Sequence, residues 1–242
     1  MTQNLQRPTV YNAGVSSQPP NFNLHTFRMI DPAIMQTMFD DFMFYQAALY
    51  TITANDSGAV TNPAAAGGTV LLTTGTTSTD LVVMQNAVCP FVLTAGQKMW
   101  FRVAFKASDV LLSRLQFGMV NAVTTQAPTD GIWINKTSSA TPVWTLNYAD
   151  VADSVTSTTI LTLPAALVNA TYVTMGFVFN GVDTVAVYLN DQYFTQIVIG
   201  TKLTGVLLAP AVSISAGASA AKTMTVDHLL GAVERPLVFS GF

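Results

Sequence analysis

The chain has 242 residues, of which half are hydrophobic and only 10% are charged, against about 25% charged in ordinary soluble proteins. The net charge of −3, without a cluster of Lys or Arg, argues against nucleic-acid binding. No apolar run reaches the roughly 18 residues of a membrane-spanning helix. A chain this apolar is expected to bury part of its surface against partners.

The first 30 residues are predicted to form an extended arm, because they contain three prolines and show no helical or strand period. A solvated tail is the other interpretation. The arm keeps four large apolar side chains, which a solvated tail has little reason to keep. These candidate partner-binding residues are Tyr11, Phe22, Leu24 and Phe27. No hydrophobic signal segment is seen, so no export is predicted.

A folded domain is predicted over residues 31–242, beginning with one short helix near residues 32–41. The pair Asp31-Pro32 suits an N-cap followed by proline at the first helical position. Apolar residues then follow at spacings of one, three and four: Ile34, Met35, Met38, Phe39 and Phe42. This spacing predicts an amphipathic helix whose apolar stripe packs in the core.

From about residue 41 the apolar residues alternate, which predicts β-strands. In residues 97–108 one face carries Met99, Phe101, Val103 and Phe105. Other strands are predicted at 69–74, 80–86, 115–119, 132–134, 144–148 and 221–230, with a hairpin over 171–194 that turns at Asn180-Gly181. No helical pattern separates the strands. The predicted fold class is therefore all-β, a two-sheet antiparallel jelly-roll sandwich.

The outward positions of these strands hold Thr, Ser, Ala and Asn more often than charged residues. Thr and Ser suit the exposed side of a strand, and they form hydrogen bonds without the desolvation cost of an ion. Because buried unpaired charges are expensive, such a surface is suited to docking against neighbouring subunits.

No catalytic residue is predicted. Glycosidases generally need two carboxylates that face one another. The only glutamate is Glu234, and the aspartates are expected to stand singly in turns, where they cap their own backbone. Of the two histidines, His25 lies in the arm and His228 in a strand. Its neighbour Asp227 is expected to face the opposite surface, because side chains alternate along a strand.

No metal or cofactor site is predicted either. Two histidines and one cysteine, Cys89, are too few for a zinc site. Two alternatives for calcium, residues 150–153 and the Asn190-Asp191 loop, lack a complete set of ligands. The three tryptophans could form a sugar-stacking platform, although core or interface positions are favoured: Trp100, Trp133 and Trp144.

Five segments carry a family resemblance by their order along the chain: AGQKMWFRVAFKASD, LQFGMV, TDGIWINK with VWTLNY, YVTMGFVFNGVDTVAVYLND and AAKTMTVDHLLGAVER. In this order they resemble the concanavalin A-like (laminin G-like) jelly rolls of tailed-bacteriophage virion structural proteins, especially head proteins. The resemblance covers residues 41–235 and implies a sandwich with a non-enzymatic role on the particle surface.

The sequence departs from two other groups with this fold. The glucanases carry Glu-x-Asp-x-(x)-Glu on one strand, and a chain whose only glutamate is Glu234 cannot have it. The legume-type lectins hold calcium and manganese through a clustered ligand set, which is not found here. The resemblance therefore extends to the fold, and neither chemistry is carried over.

The favoured hypothesis is a non-enzymatic capsid decoration or cement protein on the head of a phage virion, assembled in the host cytoplasm and tethered by its arm. Its expected partners are the major capsid protein and further copies of itself, without nucleic-acid or membrane contact. The alternative is a carbohydrate-binding module of a tail fibre or receptor-binding protein, in contact with glycans. An enzyme is the least favoured class.

Overall fold

The structure, a computed structural model, describes residues 10–11, 14–15, 35–63, 68–87, 91–121, 128–139, 143–149, 156–161, 169–199, 203 and 205–235. For residues 10–11, 14–15 and 156–161 the backbone alone is described. Tyr11 lies in one of these short strands, and the other candidate arm residues lie outside the described ranges: Phe22, Leu24 and Phe27. The arm and its boundary near residue 30 therefore remain predictions.

Strands make up almost all the regular structure of the described residues, which include only one short 3-10 helix, Ala47–Leu49. The strands are β1 Val10–Tyr11, β2 Gly14–Val15, β3 Met35–Asp40, β4 Tyr50–Ala54, β5 Ala59–Thr61, β6 Val70–Thr73, β7 Leu81–Asn86, β8 Phe91–Val92, β9 Met99–Ala107, β10 Ser113–Val120, β11 Gly131–Lys136, β12 Trp144–Ala149, β13 Thr156–Leu161, β14 Val173–Phe179, β15 Thr184–Leu189, β16 Gln192–Val198, β17 Leu207–Ala216 and β18 Thr223–Glu234.

These strands form two eight-stranded antiparallel sheets, besides the pair β1-β2. Sheet I has the order β13-β12-β11-β10-β17-β7-β4, with β8 also paired to β17. Sheet II has the order β16-β15-β14-β9-β18-β6-β5, with β3 also paired to β18. The all-β, two-sheet prediction is confirmed, and each predicted strand is present. The described residues include no helix that is long and apolar enough to cross a membrane.

The core lies between the two sheets and is built from the inward side chain of every second strand residue. The predicted face of β9 is fully buried: Met99, Phe101, Val103 and Phe105. Phe105 of sheet II meets Phe117 of sheet I with ring centroids 4.4 Å apart, which joins the two layers. Burying each such side chain contributes about 1.5–3 kcal/mol.

The predicted helix near residues 32–41 is wrong for the described part of that segment. Residues 35–40 form strand β3, which pairs with β18 so that Met35 lies opposite Glu234. Met38 joins the core, whereas Met35 packs on the other face of sheet II against Trp100 and Ala232. Two buried methionines three residues apart imitate a helical stripe although they point to opposite faces. Pairing with β18 makes this segment a strand. A short helix here would have little stability of its own, because most helical stability in proteins comes from tertiary packing.

Lys136 is a buried cation that the sequence pattern did not predict. It is on the inner side of β11 and has no exposed surface. Its Nζ donates hydrogen bonds to the carbonyl oxygens of Leu111 at 3.0 Å and Ser113 at 2.6 Å. Burial lowers the pKa of Lys136 to about 8, although the carboxylate of Asp109 opposes this effect. Lys136 therefore holds the loop between β9 and β10 against the end of the core.

We predict that Lys136→Met removes one component of the pH dependence of stability. The pKa of Lys136 is about 8 in the folded protein, against 10.5 for a lysine side chain in water. Between these values the unfolded state binds more protons, so this group makes the free energy of unfolding rise with pH. Urea unfolding from pH 7.5 to 10.5 should show a smaller rise for Lys136→Met than for wild type or the exposed control Lys98→Met. Parallel curves for the three proteins would contradict this role.

Candidate functional site

The candidate site lies on the side of sheet II that faces away from the core, here called outer face II. Because the inward residues of β9 are odd-numbered, its even-numbered residues point outward, as the sequence predicts. Outer face II gathers charged and aromatic side chains from several elements: Arg102 and Lys106 of β9, Asp227 and His228 of β18, Asp191 after β15, Tyr172 before β14, Tyr188 of β15 and Tyr193 of β16.

A bidentate ion pair joins two elements that are far apart in the sequence. Arg102 donates from Nε to Asp191 Oδ1 at 2.9 Å and from Nη2 to Asp191 Oδ2 at 2.7 Å. Asp191 and Asn190 form the turn between β15 and β16 with φ values of 61° and 50°, a left-handed conformation that Asp and Asn tolerate better than most residues. The carboxylate that sequence reasoning considered for calcium is therefore held by an arginine.

The expectation that Asp227 and His228 face opposite surfaces is wrong, because β18 contains a β-bulge there. Val226 pairs with Phe105 and His228 pairs with Ala104, which leaves Asp227 as an extra residue without a partner in β9. The core residues on either side keep their inward direction, so both intervening side chains point outward. Asp227 Oδ2 then lies 3.0 Å from His228 Nδ1.

The imidazole of His228 is engaged at both nitrogens. Its Nε2 lies 2.9 Å from Arg102 Nη1, which can only donate, so Nε2 accepts and the proton is on Nδ1, facing Asp227. Burial lowers the pKa of His228, and the nearby Arg102 charge lowers it further, whereas Asp227 and Asp191 raise it. His228 is thus neutral near pH 7. Neither ring nitrogen is free to act as a general base or a metal ligand.

Exposed aromatic rings lie on the same face. The register of the strands places Arg102, Gly176, Tyr188 and Tyr193 in one row across β9, β14, β15 and β16. Tyr188 and Tyr193 meet edge to face with centroids 6.0 Å apart, and Tyr193 is 50% exposed. At the start of β14, Tyr172 is 44% exposed and lies 4.8 Å below the ammonium group of Lys106. The face thus combines flat apolar rings with oriented polar groups.

The three tryptophans do not form a common platform. Trp144 belongs to the main core, Trp133 to a small cluster on the outer side of sheet I, and Trp100 to another on outer face II. All three are at most 7% exposed. The core or interface interpretation of these residues is confirmed, and the platform interpretation is wrong.

One pair of aspartates is close together, contrary to the expectation that they stand singly. Asp56, in the turn after β4, forms a hydrogen bond with Asp80, and this bond and the charge of Asp80 raise the pKa of Asp56. Two carboxyl groups in direct contact leave no room for a sugar between them, whereas glycosidases keep theirs at least about 5 Å apart. The described residues contain no group of three or more His, Cys, Asp or Glu side chains suited to a metal ion.

No family model matches the chain, and no curated protein matches it. Solved structures do match. The β-glucanase of Bacillus licheniformis has a TM-score of 0.54 at 14% identity, over 81% of this chain and 97% of that one. Peanut lectin has a TM-score of 0.57 at 11% identity, over 82% and 97%. The lectin UEA-II, complexed with galactose, has a TM-score of 0.56 at 10% identity, over 83% and 99%.

These similarities define the class of the fold. The chain is a two-sheet jelly-roll sandwich of the kind found in these two lectins and this β-glucanase. Enzymes and lectins both occur among the structures that it resembles, and at such low identity the likeness shows the fold alone.

We predict that the two neighbours of His228 shift its pKa in opposite directions. Asp227→Asn should lower the pKa of His228 further, because a stabilising carboxylate is lost, and Arg102→Met should raise it, because a neighbouring cation is lost. Proton NMR titration of the imidazole measures both shifts, and His228→Gln identifies the resonance. Equal pKa values in all proteins would show that the three side chains do not interact in solution.

Proposed function

We propose that the chain is a non-enzymatic carbohydrate-binding protein that uses outer face II. The observation that carries this proposal is that half-exposed Tyr193 lies in the same row as Arg102. Asp191, which binds Arg102, lies in the turn that precedes Tyr193. Tyrosine offers an apolar ring and a hydroxyl, which suits a ligand with apolar and hydroxyl-bearing faces. Binding sites usually combine such rings with a few oriented polar groups.

The lectins among the similar structures support this proposal, since they combine this fold with a binding function. The glucanases share this fold to the same degree as the lectins. Whether the chain could hydrolyse a sugar therefore depends on how its own carboxylates are arranged. On outer face II, Arg102 and His228 occupy the space between Asp191 and Asp227, and each carboxylate is bound to one of them. A scissile bond would need that space. Glu234 accepts a hydrogen bond from the backbone N–H of Lys98, outside this row.

Removing the tyrosine ring should weaken glycan binding. A glycan array first identifies the sugar, and isothermal titration then compares variants. Tyr193→Ala should lose about tenfold in affinity, or about 1.4 kcal/mol, whereas Tyr193→Phe keeps the ring and most of the affinity. The control is Phe44→Ala, which removes an 86% exposed ring between β3 and the 3-10 helix.

The same proposal predicts that the protein hydrolyses no β-glucan. Turnover that Asp191→Asn abolishes would instead identify an enzyme.

A second candidate is the virion role: a decoration or cement subunit on the head of a phage, with the major capsid protein as partner. A specific surface favours it. Met43 and Phe44 are 56% and 86% exposed, while Phe42 between β3 and these residues is buried with φ of 55°. Asp40 and Asp41 accept the backbone N–H groups of Phe42 and Met43, which holds this turn. Exposed adjacent apolar side chains are typical of docking surfaces.

For this second candidate, the predicted arm should act as a tether. Deleting residues 1–30 is expected to leave the melting temperature almost unchanged while binding to purified phage heads becomes much weaker. Quantitative mass spectrometry of particles gives the copy number: hundreds per virion indicate the shell, and a few dozen or fewer indicate the tail. A truncated protein that decorates heads as well as the full chain does would remove the tether role.

A further inference from the structure

Strand β16 stands at one end of the strand order of sheet II. Among the described residues it pairs with β15 alone, and its sequence QYFTQIV contains no charged residue and no proline. Three of its apolar side chains are exposed: Tyr193 at 50%, Phe194 at 39% and Val198 at 70%. Proteins usually protect such an edge with charge, proline or a bulge. Here a bulge at Phe194 is the one such device in the strand.

The hydrogen bonds to β15 show which backbone groups face outward. The N–H of Ile199 donates to the carbonyl oxygen of Asp183 at 2.6 Å. Bonded pairs alternate along an antiparallel ladder, so Ile197 and Thr195 also bond to β15. Gln196 and Val198 therefore direct their N–H and C=O groups away from the sheet. The bulge precedes this stretch, and the register is regular from Thr195 to Val198.

We propose that a second copy of this chain pairs antiparallel with β16, with the two-fold axis at Ile197. Gln196 of each copy then lies opposite Val198 of the other, and the two bonded pairs exchange about four hydrogen bonds. A two-fold axis presents each copy with the same outward pattern of donors and acceptors. Because β16 has no charge, the pairing brings no like charges together. The opposite edge strand, β5, has only three residues, Ala59–Thr61, and is a shorter template.

This pairing has a consequence that rests on the proposed function. The two copies of sheet II become one continuous sheet, and both outer faces II point to the same side. Tyr193 of each copy lies four residues along the strand, about 13 Å, from the shared axis. A glycan with several identical branches would engage both faces, so its avidity exceeds the affinity for a single sugar.

The test compares two equivalent valine substitutions. Val198→Lys places two ammonium groups near the axis and should raise the dimer dissociation constant at least tenfold. Val182→Lys makes the same change at a 52% exposed valine in the β14–β15 turn, and the dimer should persist. Sedimentation equilibrium from about 1 to 100 µM measures association, and circular dichroism checks that both variants remain folded. Gln196→Pro, which removes an outward N–H, should act like Val198→Lys.

A cysteine tests the register. Ile197→Cys in a Cys89→Ser background should form an intermolecular disulfide under mild oxidation, because residues of a non-bonded antiparallel pair have Cα atoms about 4.5 Å apart. Val182→Cys in the same background is the control and should not form one. Cross-linking of both variants alike would contradict the proposed axis.

Three results would overturn the proposal. Wild-type protein could remain monomeric throughout, or Val182→Lys could dissociate the dimer as strongly as Val198→Lys. Deletion of residues 1–30 could by itself abolish association. That result would show that the arm of the second copy, and not its β16, pairs with the edge strand β16. Binding of a monovalent sugar is measured separately. Its retention by a monomeric Val198→Lys protein distinguishes failure of the dimer from failure of glycan binding.

Discussion

One extra residue in β18 determines the chemistry of outer face II. This strand pairs with β9 along most of its length and with β6 and β3 on its other side. These pairings fix the register of β18 on both sides of the extra residue. Val226 and Leu229 both belong to the core, which forces the two residues between them to the outside. The bulge brings Asp227 against His228, and His228 against Arg102. Burial of apolar side chains thus positions a polar cluster on the opposite side of the same sheet.

The scarcity of charge makes the remaining charged groups informative. Several of them stand in defined pairs: Arg102 with Asp191, and Lys222 with Asp109 at 2.7 Å. Lys136 is buried, but backbone carbonyl oxygens receive its hydrogen bonds. A buried or half-buried charge is tolerated when such partners replace water. Many other outward strand positions hold uncharged side chains, among them Thr174, Thr184 and Thr225.

The sandwich itself is compatible with both binding and hydrolysis, as the lectins and glucanases that it resembles demonstrate. Whether a face of such a sandwich can hydrolyse a sugar depends on what lies between the carboxylates on that face. In this chain an arginine and a neutral imidazole occupy that position, and both are held by hydrogen bonds. These groups separate the carboxylates of Asp191 and Asp227 and lie on the same face as the exposed ring of Tyr193. This arrangement is the basis of the proposed carbohydrate-binding function.

The sequence by itself determined the all-β class, the positions of β6, β7, β9 to β12, β14, β15 and β18, and the hairpin turn at Asn180-Gly181. Strand alternation and turn chemistry are local properties: the Asn180 Oδ1 atom accepts three nearby backbone N–H groups, and Gly181 has a φ of 86°. Local patterns do not report which strands become neighbours or where a register shifts.

Only the tertiary structure decided that residues 35–40 are a strand, because the ladder to β18 and burial on both faces replace a helical stripe. It also decided that Arg102 meets Asp191, a residue 89 positions away. The contact of Asp227 with His228 required the bulge, which arises from simultaneous pairing and core packing. Each of these features depends on long-range pairing, and a period of two along the chain contains no information about it.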